Sequence, residues 1–288
     1  MKNLKEYVNE GLADWSDDNT LNKKISKQTT KAGIKKEITD WIINASNFRI
    51  YKNRLKFNFD TDPITVDYQG DIKLKSKVDS LTNGMFQWGV VTDLFSLSNT
   101  QITSLDGAPN QCTRFSCART KVKNLKGCPP NVEYINCHEC DDLESLEGCP
   151  QKVRFLWCEK NPKLTTLEGG PKYVTGNFLC NHCDNLTALK GAPKEVEGDF
   201  LCNGCKNLKS LKGAPKKIGG SLYMVNCTGI TTLKGSTEYI GNILFCNGCK
   251  NLESLDGCPA HIGKHLECRD CDKMDKTIPP GPYIKLVY

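Results

Sequence analysis

The chain has 288 residues, 17 of them cysteine, and a formal net charge of +6. Charged residues make up 25% of the sequence, which predicts a folded protein, and the chain has no apolar stretch long enough to cross a membrane. The positive charge is small and spread along the chain, so nucleic acid is not the partner that we expect from composition.

The first residues are apolar at helical spacing, with Leu4, Tyr7, Val8 and Leu12 on one face of a short predicted helix. The apolar run is too short for a signal peptide, so we expect synthesis and folding in a cytosol. Residues 14–30 are polar and lack periodicity, which predicts a linker.

A mixed pattern follows the linker. Residues 31–45 carry apolar side chains at helical spacing, which predicts a helix. Residues 48–59 alternate and contain Lys52 and Asn53 as a hairpin turn, and residues 63–76 predict two further strands. A segment of this length buries little apolar surface by itself. We therefore expect an α+β cap over the following segment rather than an independent domain.

A glycine recurs at a nearly fixed interval through the rest of the chain. The spacings are 20, 21 and 21 residues, and then 22 four times. A period of this length with leucines at set offsets predicts a leucine-rich-repeat solenoid, in which each coil is stable only when stacked on its neighbours. The repeating glycines are Gly107, Gly127, Gly148, Gly169, Gly191, Gly213, Gly235 and Gly257.

One coil shows what the repeat predicts. A short strand is expected over residues 199–202, and strands of successive coils should pair in parallel to form a concave face. The return segment contains glycine and proline, so the convex side should be extended or turn-like and poor in helix. The residues expected to point inward are Val196, Phe200, Cys202, Cys205, Leu208 and Leu211.

Most cysteines lie in two columns of the repeat. The first column has Leu97 and Met224 at equivalent positions, which predicts an apolar interior. The second, three residues on, also contains Asn161, Thr100 and Thr120, which predicts that its side chains make hydrogen bonds. The first column contains Cys117, Cys137, Cys158, Cys180, Cys202, Cys246 and Cys268, and the second contains Cys140, Cys183, Cys205, Cys227, Cys249 and Cys271.

The paired cysteines also allow a zinc interpretation, because four thiolates at this spacing bind zinc. We do not favour it, since the substitutes in both columns are not zinc ligands. We predict reduced, buried thiols with no metal and no cofactor. No enzyme motif is present, and His138 and His182 are expected to be solvated turn residues, so we predict that the protein is not an enzyme.

The sequence Leu-x-Ser-Leu-x-Gly-Ala-Pro, here residues 208–215, resembles repeats of bacterial effector-type leucine-rich-repeat proteins and of proteins encoded by large tailed phages. The resemblance covers roughly residues 70–288 and implies a solenoid. The repeat pattern ends after Cys271, and Pro279 and Pro280 interrupt it, which predicts a C-terminal cap from about residue 273. Residues 31–69 then form the N-terminal cap. Lys, Glu or Asp precedes the repeating glycine where the family usually has proline, so the return segment should differ in detail.

The start of the chain resembles the capsid-targeting leader of T-even-type phage internal head proteins. The matching residues imply a leader over residues 1–13 that is cleaved after Glu10, with Val8 where the family more often has isoleucine or leucine. The resemblance further implies synthesis in a bacterial host and packaging in the virion head. The match rests on Met1, Lys2, Glu6, Tyr7, Val8 and Glu10.

The strand position just before the first cysteine column should point outward, and five adjacent coils are apolar there. We call this column, Trp157, Leu179, Leu201, Tyr223 and Phe245, the ridge. A contiguous exposed apolar patch with polar ends is typical of a protein contact surface. It predicts a non-enzymatic module that binds a host or virion protein through its concave face. Residues expected to flank the ridge are Tyr134, Phe155 and Ile243.

Two other interpretations of the ridge stay open. The protein could be a structural virion component or homo-oligomer assembled through the same face, or its own N-terminal segment could cover the ridge. A third hypothesis, an enzyme whose catalytic part is residues 11–70, is disfavoured because that segment has no acid, base or nucleophile motif.

Overall fold

A computed structural model describes residues 30–82 and 84–275, together with the strand at 285–287. The predicted leader, its cleavage site at Val8 and Glu10, and nearly all of the linker lie outside the described residues. The described chain is a parallel β-solenoid of about nine turns with few helices, which confirms the predicted repeat solenoid.

Helix α1, Lys31–Ala45, confirms the helix expected at these residues. Its N-terminus is capped by Thr30, whose hydroxyl oxygen accepts a hydrogen bond of 3.1 Å from the backbone N–H of Gly33. Ile38 and Ile42 are buried, because the apolar face of the helix lies against the first strands of the solenoid.

The predicted hairpin turn at Lys52 and Asn53 is wrong. Lys52–Arg54 instead forms a 3-10 turn, closed by a 2.9 Å bond from the Arg54 N–H to the Tyr51 carbonyl. The antiparallel pair comes later, between β1, Leu55–Asn58, and β2, Ile64–Tyr68. Strand β3, Ile72–Lys73, supplies the second strand predicted in residues 63–76.

The first sheet has thirteen strands and is parallel from β2 onward. Two long strands come first, β4 at Phe86–Ser96 and β5 at Gln111–Ser116. The repeat then contributes one short strand per coil. These are β6 (Tyr134–Asn136), β8 (Phe155–Trp157), β10 (Phe178–Leu179), β12 (Phe200–Leu201), β14 (Leu222–Tyr223), β16 (Ile243–Phe245) and β18 (His265–Glu267). A last strand, β19 (Lys285–Val287), pairs in parallel with β18 and lies among the residues expected to form the C-terminal cap.

The return segments are extended as expected, and they also pair into a second parallel sheet of six strands. Each of its strands ends two to four residues before a strand of the first sheet begins, so the two sheets meet along a corner of the solenoid. The strands are β7 (Lys152–Val153), β9 (Tyr173–Val174), β11 (Glu195–Val196), β13 (Lys217–Ile218), β15 (Tyr239–Ile240) and β17 (His261–Ile262).

The repeating glycines mark a backbone conformation that other residues rarely adopt. All eight have φ between +81° and +95°. At Gly127 an added Cβ would lie 2.7 Å from the carbonyl carbon of Leu105 in the preceding coil. The interval of the repeat therefore reflects a turn that needs both positive φ and close approach of two backbones.

The interior of the coil confirms the predicted inward residues. Phe200, Cys202 and Leu211 are fully buried, and successive coils stack equivalent side chains on one another. The rings of Phe178 and Phe200 lie parallel with their centroids 5.1 Å apart. No helix in the described residues has the length and apolarity needed to span a bilayer.

Candidate binding face

The ridge residues lie in register across five neighbouring strands of the first sheet. Trp157 is paired with Leu179, Leu179 with Leu201, Leu201 with Tyr223, and Tyr223 with Phe245. Their neighbours along each strand, such as Leu156 and Phe200, are fully buried. Because side chains alternate along a strand, the ridge lies on the outer face of the sheet.

The ridge is less exposed than the sequence predicted. Trp157 is 45% exposed, whereas the other four side chains are half-buried. Contact between ridge residues of adjacent coils reduces their exposure. The Tyr223 and Phe245 rings, for example, stack with centroids 4.5 Å apart and cover part of each other. The polar end at Ser96 and Ser116 is buried rather than open to solvent.

The predicted flanking residues form a second outward column, two positions before the ridge. Tyr134 and Phe155 stack with ring centroids 5.1 Å apart, and the Arg154 guanidinium lies over both rings at 5.6 and 5.7 Å. Ile243 lies further along the same column, in register with His265. All three flanking side chains are half-buried.

A cleft of about 440 Å³ opens at the Trp157 end of the ridge. Its walls include Trp157, Tyr134, Phe155 and the Arg114 side chain, which pairs with Asp93 at 3.0 Å. The Trp157 indole N–H donates a 2.5 Å hydrogen bond to the Glu159 carboxylate. The cleft therefore joins apolar walls to the charged Arg114 side chain, and small recognition pockets combine apolar and polar groups in this way.

Polar side chains build a ladder along the corner between the two sheets, which the sequence analysis missed. The Asn177 Oδ1 accepts from the Asp199 N–H at 2.9 Å, and the Asp199 Oδ1 accepts from the Ser221 N–H at 2.7 Å. Asn181 and Asn203 repeat the arrangement past the strand. The sequence signal that could have predicted this ladder is a polar side chain that recurs every 22 residues. Because these polar groups bond to the next coil, they hold the strands that carry the ridge in register.

The second cysteine column confirms the predicted hydrogen bonding. Each thiol donates to a backbone carbonyl of the preceding coil at 3.0 to 3.2 Å, as Cys205 does to Cys180. Asn161 replaces the thiol with its amide, which donates to the Cys137 and Cys158 carbonyls. These carbonyls would otherwise be buried without partners, so the column needs a small donor.

The thiols of both cysteine columns are buried, as predicted, and all 17 cysteines are free. Burial raises the pKa of Cys149 and of Cys183 to about 12, from an ordinary value of 9.0. Among the described residues no group of three or more His, Cys, Asp or Glu side chains is placed to hold a metal ion. The absence of bound metal stays a prediction for elemental analysis.

The raised thiol pKa predicts loss of stability at alkaline pH. Well below pH 9, thiols such as Cys149 and Cys183 are protonated in both the folded and the unfolded chain, so stability should not depend on their titration. Between about pH 9 and 12 the unfolded chain loses thiol protons that the folded chain retains. Each thiol with a raised pKa, such as Cys149 or Cys183, should then reduce the free energy of unfolding by up to about 1.4 kcal/mol per pH unit. We expect the melting temperature to fall steeply above pH 9.

Cys205→Asn provides a matched control for this titration, because Asn161 fills the equivalent position in another coil. The variant should fold, and its melting temperature should fall less steeply with pH. A melting temperature that stays constant to pH 11 would contradict the burial of protonated thiols.

Two histidines, His138 and His182, were expected to be solvated turn residues. His138 is half-buried rather than solvated. Its ring Nδ1 lies 2.7 Å from the Asn136 Oδ1, and burial lowers the pKa of the imidazole. His182 is exposed, as predicted.

A groove of about 650 Å³ lies nearby, and in it Glu139 accepts hydrogen bonds from Arg119 and Lys160. The Arg119 bond is the main reason that the pKa of Glu139 is about 2. The groove is lined by three cations and four carboxylates, so its charges are nearly balanced.

Comparisons of the chain with protein-family models, curated proteins and solved structures found no match.

Proposed function

We propose that this protein is a non-enzymatic binding module that recognises a protein partner through the ridge and its cleft. The supporting observation is the in-register alignment of five apolar rungs on the outer face of the first sheet, beginning at the exposed Trp157. Aromatic and aliphatic side chains fixed on neighbouring strands lose little entropy on binding, which favours them as contact residues.

We also propose the type of repeat, the position of the ridge, the role of the N-terminal elements and the origin of the protein. The repeat is of the leucine-rich type, the ridge lies on its concave face, and residues 31–69 act as its N-terminal cap. Burial of Ile38 and Ile42 against the first strands supports the cap. The leader resemblance supports phage origin, synthesis in the host cytoplasm and packaging inside the virion head. The protein partner is then a host or virion protein.

Trp157→Ala and Tyr223→Ala should each weaken partner binding by about 2 kcal/mol or more, because truncation of an anchor loses its contact area. Both side chains point away from the interior, so the melting temperature should change little. The measurement is capture from host lysate by wild-type protein and by each variant, followed by titration of the captured protein.

Tyr173→Ala is the matched control, because Tyr173 is 44% exposed and lies on the second sheet. Capture that is lost equally with Tyr173→Ala would contradict recognition by the ridge.

The second candidate function is self-assembly through the same face, and the half-buried rungs favour it because they match the apolar core of a homodimer interface. Sedimentation of wild-type protein and of Trp157→Ala separates the two. A wild-type oligomer that dissociates in the variant supports self-assembly, and a monomer in both cases supports a different partner.

A further inference from the structure

A second surface, on the N-terminal elements, combines exposed aromatic rings with positive charge. Residues 46–59 contain four cationic residues and no acidic residue, although the chain as a whole is only mildly basic. Phe48 and Tyr51 are each 43% exposed. We call Phe48, Arg49, Tyr51, Arg54 and Lys73 the basic aromatic patch.

Contacts within the patch fix the cations beside the rings. The guanidinium carbons of Arg49 and Arg54 lie 5.3 and 4.8 Å from the Tyr51 ring centroid. The Lys73 ammonium lies 5.9 Å from the Phe48 centroid. These distances are typical of cation–π contact, so charge and aromatic surface are held together in one place.

The cations of the patch are not held in ion pairs within the part of the chain that the structure describes. No ion pair joins its cations, or Lys52 and Lys56, to an acidic side chain among the described residues. Asp67, which accepts a 2.7 Å bond from the Val90 N–H, shares a small cleft with Arg54 and Lys56. Asp40 interacts electrostatically with Lys52, so acidic neighbours offset only part of the positive charge. Elsewhere on the solenoid, lysines commonly pair with carboxylates of adjacent coils, as Lys190 does with Glu168.

We propose that the basic aromatic patch binds single-stranded nucleic acid. Bases would stack on the open parts of the Phe48 and Tyr51 rings and on the guanidinium planes, while the cations contact phosphates. A bilayer surface fits less well, because membrane anchoring needs a broad apolar face, and Ile50, the apolar residue between the two rings, is half-buried. This proposal does not depend on the ridge.

The test is fluorescence anisotropy of a labelled oligothymidylate of about 15 nucleotides with the full chain, as a function of salt. Phosphate contacts from the three cations of the patch, Arg49, Arg54 and Lys73, predict a slope of log affinity against log salt of about −2. Arg54→Ala should make this slope shallower by about 0.7. Tyr51→Ala should weaken binding about 5- to 100-fold and leave the slope unchanged.

Two controls make the outcome decisive. Tyr173→Ala removes a ring of similar exposure outside the patch and should leave affinity unchanged. An abasic strand of the same length should bind the wild type at least as weakly as the oligothymidylate binds Tyr51→Ala, because it loses stacking on Phe48 as well as on Tyr51. Melting temperatures of all variants should match the wild type, since the substituted side chains are exposed.

The proposal is overturned by any of three results: no binding at about 50 mM salt, equal affinity for oligothymidylate and the abasic strand, or equal loss with Tyr173→Ala. Anionic lipid vesicles serve as the alternative ligand. Binding to vesicles that requires Tyr51 and is not displaced by the oligonucleotide would assign the patch to a membrane surface instead.

Discussion

Phe200→Ala is expected to lower the free energy of unfolding by about 3 to 5 kcal/mol, one of the largest effects of any single substitution in this chain. The Phe200 side chain is fully buried and stacks on Phe178 in the neighbouring coil. Truncation leaves a cavity between two coils and removes the ring pair, and the rigid parallel sheets on either side limit collapse around it. Chemical denaturation measures the change.

Leu201→Ala is the matched control for Phe200→Ala, because Leu201 is the next residue on the same strand and faces outward. Its half-buried side chain should cost about 1 kcal/mol or less. If Leu201→Ala destabilises as strongly as Phe200→Ala, the assignment of inner and outer faces is reversed, and the ridge is then part of the core.

Gly127→Ala should destabilise the protein by about 3 kcal/mol or more, from two additive causes. Its φ of +85° is strained for a residue with a side chain, and the new Cβ would lie 2.7 to 2.9 Å from backbone atoms of Leu105 and Asp106. Because those atoms belong to the backbone of the adjacent coil, they cannot rotate away. The change is measured by denaturation.

Gly84→Ala separates the two causes. Gly84 has a similar φ of +82°, but an added Cβ would meet no atom within 4 Å in the described structure. The expected cost is about 1 kcal/mol, which is the conformational part alone. Equal losses at Gly84 and Gly127 would show that the close approach of the coils contributes nothing.

The sequence predicted the solenoid because its constraints repeat. A column that accepts Cys, Leu and Met can only be an apolar interior, and a column that accepts Cys, Asn and Thr needs a hydrogen-bond donor. The structure shows Cys202 in the interior and Asn161 as a donor, as those substitutions indicated. The second sheet was not predicted, because its strands have two residues each and so little alternation to detect.

The candidate sites were harder to predict, since exposure depends on neighbours that lie far apart in the sequence. Tyr223 and Phe245 are 22 residues apart, and each shields the other through ring stacking. The basic aromatic patch was hidden for a different reason. The alternation of residues 48–59 suggested a hairpin, whereas the 3-10 turn at Lys52–Arg54 leaves Tyr51 exposed beside Arg49 and Arg54.

The polar ladder of Asn177, Asp199 and Ser221 has a consequence for how such a chain changes length. Each rung bonds only the backbone of the next coil, and the coils here share a 22-residue interval. If one coil of 22 residues were deleted or duplicated, the coils brought together would therefore present equivalent hydrogen-bond donors and acceptors to each other. The binding surface could then become longer or shorter by one strand at a time, while the outward residues change independently of the cross-section.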